Sequence, residues 1–429
     1  MRILTVSLTP WAYEDSFGNS YSSLFEGCFN DCEFADIYCG FGSLHNSLNM
    51  RGFQITSHSL IENLKNPKVK TGSEVLNNQL ATERNEYENK NFTAARKLRW
   101  QVLYWARDFL WAIGRWKSPE LKQFISDFNP DVIIQPVYYS SYMNDIACFV
   151  KEYCGAPMAC YISDDNYSLR QFNLSPLYWI DRLWKRQKVK KTIEKSKLLY
   201  VITQTQKEEY EKVFSPPCNI LTKGADFSGA CPQYEPPEQI VKLLYAGYIG
   251  YNRWKSLGLI SKAVEEINAR KSLLEFDIYT PTPLTAAMKK ALLKKGTQVH
   301  EPVSYAEILE LQKKADVLVH AEGLDLKSRL AVHQSLSTKI VDFFALGKCI
   351  FAVGTDDEAS IKHLRDNDAA LIASSYEDVR EKLKAVVSNK DLIAQYGAKA
   401  WNCGKTHHDI QKIQKMLRND LEGLAESAK

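Results

Sequence analysis

Two short segments carry residue types and spacings suited to chemistry on an anion. The first runs Leu336-Ser337-Thr338-Lys339-Ile340-Val341-Asp342-Phe343-Phe344-Ala345-Leu346-Gly347-Lys348 and leads into the apolar run Cys349 to Val353. Ser337 or Thr338 is a natural N-cap and Gly347 a natural C′ residue, so the spacing predicts a helix of about two turns ahead of a strand. The free N–H groups of such a helix start, two hydroxyls and Lys339 together suit a diphosphate. Asp342, four residues beyond Thr338 on the same face, suits the hydroxyls of a ribose. An ordinary capped helix with a solvated Asp342 has the same spacing. In the second segment the apolar run Val241 to Ala246 enters Gly247-Tyr248-Ile249-Gly250-Tyr251-Asn252-Arg253-Trp254-Lys255-Ser256, with a helix expected from Leu257. Glycine permits a tight turn and close backbone approach, while Arg253 and Lys255 offer a planar fork and a point charge to phosphate oxygens. A solvated basic loop is the alternative. Neither a Walker motif nor a G-x-G-x-x-G fingerprint is present, which disfavours a P-loop or an ordinary dinucleotide site.

These segments need a scaffold, and the rest of the chain supplies the pattern for one. With 429 residues, 45% apolar and 25% charged, the chain has the length for two or three domains and the composition of a globular protein. Apolar runs of strand length alternate with amphipathic stretches, the signature of parallel sheets covered by helices. Strands are expected at Ile3 to Leu8, Ala35 to Cys39, Val132 to Val137, Met158 to Ile162, Leu198 to Thr203 and Asn219 to Leu221. After Cys231, Pro232, Pro236 and Pro237, which read as a linker, further strands are expected at Val241 to Ala246, Glu275 to Tyr279, Gln298 to His300, Val317 to His320, Cys349 to Val353 and Ala370 to Ile372. The fold class is therefore α/β, with two facing Rossmann-like domains, 1–230 and 231–406; a final helix, 407–429, is expected to cross back to the first. In open α/β sheets ligands bind outside the carboxyl ends of the strands, so an inter-domain cleft is expected there.

Several classes are disfavoured. No apolar stretch approaches the roughly 20 residues of a membrane span, and Pro10 cuts the first apolar run too early for a signal peptide, so a cytoplasmic location is expected. The ten cysteines then read as packed thiols, and Cys28 with Cys32 lacks a second ligand pair at zinc-site distance. A net charge of +4 does not by itself indicate nucleic acid. Its placement is more informative. Arg96 to Lys117 mixes Arg107, Arg115 and other cations with Trp100, Trp105, Trp111 and Trp116, and Arg182 to Lys197 carries eight cations against Glu194. Such helices suit an anionic membrane surface, with packing plus a solvated basic face as the alternative.

The order of strand, Gly247, Arg253 and Lys255, helix, then Ala315 to His320, then Ser337-Thr338-Lys339 to Gly347-Lys348 resembles the donor half of GT-B glycosyltransferases. It is most similar to the group with retaining enzymes that builds bacterial capsule, O-antigen and exopolysaccharide. Asn129-Pro130-Asp131-Val132-Ile133 and Lys223-Gly224-Ala225-Asp226 resemble that group's N-terminal signatures. The resemblance implies a nucleotide-sugar donor site at Gly18, Gly247, Arg253, Lys255, Ser337, Thr338, Lys339 and Asp342. The group's two glutamates, eight positions apart, fall on Gln334 and Asp342, and Glu322 is the nearest acid to replace the first. Asp164 and Asp165, after the Met158 to Ile162 strand, are the acceptor-side candidates for a base. Asp366-Asn367-Asp368 reads as a surface turn, so no metal site and no cofactor are expected. The implied activity is transfer of a sugar from a nucleotide sugar to a glycan or lipid-linked glycan at the inner membrane face, metal-independent and retaining. A sugar-nucleotide 2-epimerase and a non-catalytic sugar-nucleotide or glycan-binding protein are the alternatives.

Overall fold

The computed structural model describes the chain except residues 14–15, 78–100, 235–236, 238 and 428–429. It forms two compact units: Met1–Leu169 with Asn173–Thr222 and Gln411–Lys429, and Lys223–Ile410 with Arg170–Phe172.

The first unit is built on eight strands, β1 (Arg2–Ser7), β2 (Glu33–Tyr38), β3 (Met50–Ile55), β4 (Gly72–Leu76), β5 (Val132–Pro136), β6 (Met158–Ile162), β7 (Leu198–Val201) and β8 (Cys218–Ile220). Their order is β4-β3-β2-β1-β5-β6-β7-β8, parallel except for β4. Alternation along β1 sends Leu4 and Val6 to one core and Ile3 to the other, as the period of two requires. The last helix, Ile410–Glu426, packs Ile413, Leu417 and Leu421 into the second of these cores, beside Ile3, Phe34 and Tyr200. Asp420 fixes it by accepting from Tyr200 Oη at 3.0 Å and Asn219 Nδ2 at 2.9 Å.

The second unit has β9 (Val241–Ala246), β10 (Leu274–Tyr279), β11 (Thr297–His300), β12 (Val317–Ala321), β13 (Cys349–Val353) and β14 (Leu371–Ala373), all parallel in the order β11-β10-β9-β12-β13-β14. This is the doubly wound order, which reverses between β9 and β12. The helix Thr338–Ala345 is anchored through Ile340, Phe343 and Phe344 in the core beneath Leu318 and Ile350. That anchorage leaves Thr338 and Lys339 exposed and Asp342 half-buried.

Three expectations are corrected here. Strands β3 and β4 were not anticipated: Arg51 and Gly52 interrupt the apolar pattern of one, and the other is a polar antiparallel edge. The proline-rich stretch is not where the chain passes between units. The passage is at Thr222 and Lys223, because Phe227 is already buried in the second unit against Trp401. Finally, the two cationic helices are not simply basic faces. Trp111 is buried and stacked on Tyr142, Arg182 and Lys185 are buried in ion pairs, and 96–100, including Trp100, lie outside the described residues.

Candidate active site

The switch point of the second unit gathers most of the donor-side residues. β9 ends at Ala246, and Gly247 follows with φ of +146°, its N–H donating to Tyr279 O at 2.8 Å. A Cβ on Gly247 would displace the Lys339 ammonium from its present seat, and the φ of +146° itself favours glycine. Lys339 Nζ donates to Ala246 O at 2.7 Å. Desolvation lowers its pKa, and the nearby Arg253 adds to the shift. Tyr251 and Asn252 both take left-handed backbone angles, φ of 50° and 57°, to bring the chain into the helix Arg253–Ile267. Asn252 Nδ2 secures that turn on Asp325 Oδ2 at 2.7 Å.

Arg253 forms a two-pronged pair with Glu322, Nε to Oε2 at 2.8 Å and Nη2 to Oε1 at 3.1 Å. Glu322 follows β12 and is only 2% exposed. Its N–H donates to Val353 O at 2.8 Å and its carbonyl accepts from Ser256 Oγ at 2.5 Å. Glu322 is therefore held on both main chain and side chain, and it aims the guanidinium. His320 lies 3.5 Å from Glu322 Oε1, and burial pushes its pKa down to about 4, so it is neutral at pH 7.

The helix Thr338–Ala345 begins beside this group. Ser337 makes no side-chain cap; instead its N–H donates to Ser360 Oγ at 2.9 Å. Asp342 accepts from Lys223 Nζ at 2.6 Å through Oδ1, an engagement absent from the sequence expectation. Lys255 stands apart, exposed and over the Trp254 ring at 5.6 Å. Sequence reasoning missed Glu358, which is fully buried with Oε2 accepting from Thr355 N–H at 2.7 Å and Oε1 unbonded. Burial pushes it up to about 8, with Glu322 adding to the rise. Its only signal was an acid shortly after the strand end at Val353, masked by Asp356 and Asp357.

In the first unit, Asp164 sits exposed after β6, and desolvation followed by the Asp165 charge raises its pKa. Asp165 is differently employed. Its carboxylate pairs with Arg182 at 3.0 Å and accepts from Ser168 N–H at 2.7 Å and from Ser168 Oγ. That bonding corrects the expectation of a base: Asp165 braces the loop, and Asp164 is the exposed carboxylate. Gly18 lies within the helix Ser16–Phe25 instead of a loop, where a Cβ would come 2.2 Å from Ala12 N.

A shallow recess of about 480 Å³, lined by Tyr279, Val303, Leu311 and neighbours, adjoins the ends of β10 and β11. Among the described residues no group of three His, Cys, Asp or Glu side chains could hold a metal ion. Residues 261–418 match the glycosyl transferase-like family. A search of curated protein sequences finds no match. Among solved structures, sucrose-phosphate synthase from Thermosynechococcus elongatus superposes with a TM-score of 0.65 at 8% identity, covering 100% of each chain. The fold is that of the GT-B glycosyltransferases. Two further neighbours of the same fold are solved with bound molecules. HepE of Anabaena, in complex with UDP and glucose, has a TM-score of 0.62 at 8% identity, over 99% of this chain and 100% of its own. A trehalose-phosphate synthase from Burkholderia xenovorans, in complex with glucose-6-phosphate, has a TM-score of 0.58 at 10% identity, over 98% and 100%. In this chain Gly247 packs against Lys339 and Arg253 pairs with Glu322, and no helix among the described residues is long and apolar enough to cross a membrane.

Proposed function

We propose that the protein is a glycosyltransferase that moves a sugar from a nucleotide sugar to a glycan or lipid-linked glycan in surface polysaccharide synthesis. The observation that carries this reading is the two cations of the switch point, Lys339 seated against Gly247 and Arg253 fixed by Glu322. Transfer breaks the bond between the sugar's anomeric carbon and the diphosphate oxygen and forms one to an acceptor hydroxyl oxygen. Negative charge develops on the departing diphosphate, and two fixed cations oppose it without a metal ion. The start of the helix Thr338–Ala345 adds its dipole, and Asp342 keeps Oδ2 for a ribose hydroxyl. The recess beside Tyr279 suits a nucleobase, and UDP is the nucleotide of first choice because HepE binds it. In a retaining reaction the departing phosphate takes the acceptor proton.

The test is release of UDP from UDP-hexoses in the presence of excess chelator, with membrane extract as acceptor source. Release should persist, and Lys339→Ala should lower turnover by about 10²–10³-fold, the effect of removing one fixed donor to a developing anion. Loss of activity in chelator, restored by magnesium or manganese, would contradict the metal-free mechanism. A donor-only reaction yielding an epimer would favour a sugar-nucleotide 2-epimerase.

A further inference from the structure

Two helices of the first unit bury charged groups beside their core residues Trp111, Val189 and Ile193 and leave other apolar side chains in solvent. The helix Gln101–Ile113 buries Asp108 and Trp111. On its opposite side Val102, Ala106, Phe109 and Ile113 recur at spacings of 4, 3 and 4, a single stripe, with Val102 60% and Phe109 65% exposed. The helix Pro176–Glu194 buries Asp181, Arg182 and Lys185, while Leu177, Ile180 and Trp184 lie exposed at spacings of 3 and 4. That stripe continues a turn later into Lys188 and then Lys191. Trp105 Nε1 donates to Asp181 Oδ1 at 2.9 Å, and Lys185 lies 3.7 Å from Asp108, so the helices are tied together by their buried sides. Their apolar stripes therefore belong to one surface of one unit.

A groove of about 910 Å³ opens beside these stripes, with Ala112 and Trp184 among its lining residues. Each of its four acids faces a cation: Asp145 pairs with Lys188 at 2.7 Å, Glu152 with Lys195 at 3.0 Å, Glu120 with Lys70 at 3.6 Å and the buried Asp108 with Lys185 at 3.7 Å. Lys68, Arg115 and Lys191 also line it and form no ion pair with any described residue. The surplus charge of the groove is positive.

We propose that this face docks on an anionic phospholipid bilayer, with the two apolar stripes entering the boundary of headgroups and acyl chains and the groove cations meeting headgroup phosphates. The proposal rests on the reading of the acceptor as lipid-linked, and it supplies the surface that would bring the protein to such an acceptor. Charge selects a bilayer over a second copy of the chain: a two-fold pairing of this face would set Lys68, Arg115 and Lys191 against their own equivalents.

The test is sedimentation of the full chain with phosphatidylcholine vesicles and with vesicles containing about one third phosphatidylglycerol. The native chain should partition on the order of tenfold more strongly onto the anionic vesicles, and added salt should weaken the binding. Phe109→Ser with Ile180→Ser, both exposed, should lower the partition by on the order of tenfold, and Arg115→Glu with Lys191→Glu should abolish the preference for anionic lipid. Equal partition onto both vesicles, no partition onto either, or partition unchanged by both pairs would overturn the proposal. So would a dimer in size-exclusion chromatography that the Phe109→Ser, Ile180→Ser pair dissociates. UDP affinity on the same samples separates the two readings: a chain that binds anionic vesicles but no UDP keeps this face and loses the donor site.

Discussion

Glu358 is fully buried and keeps one carboxyl oxygen without a hydrogen bond, a state an ionised carboxylate tolerates poorly. Burial raises it to about 8 from an ordinary 4.5, so between those values the native state holds a proton that the unfolded chain has lost. Stability from this group is present in full below the ordinary value and falls as pH rises through about 8. Glu358→Gln should therefore flatten the dependence of melting temperature on pH between about 5 and about 8, and a slope identical to the native chain would contradict the assignment. Asp165 and Arg182 behave differently because each is buried and paired. Asp165→Ala, which leaves the guanidinium unpaired, should destabilise the fold by about 3–5 kcal/mol in chemical denaturation. The types of the site residues were legible in sequence, and Lys339 lies against Gly247 while Arg253 pairs with Glu322. Their partners were not: the Arg253–Glu322 pair and the Lys223–Asp342 pair each join segments 69 and 119 residues apart, which no local spacing encodes.

Among the elements, the buried strands were readable because they are continuous apolar runs; β6 and β13 begin and end where the pattern predicts, and so does β9 despite its exposed Lys242. The edge strand β4 escaped because an edge strand has little apolar content to reveal it, and its inner neighbour β3 escaped because Arg51 and Gly52 break its apolar run. The helix Gln101–Ile113 departs from the usual relation of pattern to burial. An apolar stripe normally marks the packed side, whereas here Val102 and Phe109 face solvent and the buried side is organised around Asp108. The turn after β9 yields a prediction of its own. Gly247→Ala places a methyl where Lys339 Nζ lies and forces φ of +146° on a residue with a Cβ, so the ammonium must leave Ala246 O. UDP affinity should fall with little change in the melting of the rest of the unit. Retained affinity in that variant would mean that Lys339 does not need this seat.

For the whole molecule, two doubly wound units were foreseeable from alternating strands and helices, and each has its own pair of cores. The division between them was less so, since Phe227 commits the chain to the second unit before the prolines appear. The central claim is that the second unit binds the diphosphate of a nucleotide sugar through Arg253 and Lys339. Isothermal titration calorimetry with UDP, in chelator, tests it most directly on the native chain and on Lys339→Ala and Arg253→Ala. The native chain should bind, and each variant should bind on the order of tenfold or more weakly, the worth of a charge-assisted contact. No binding by the native chain, or equal affinity in all three, would contradict it.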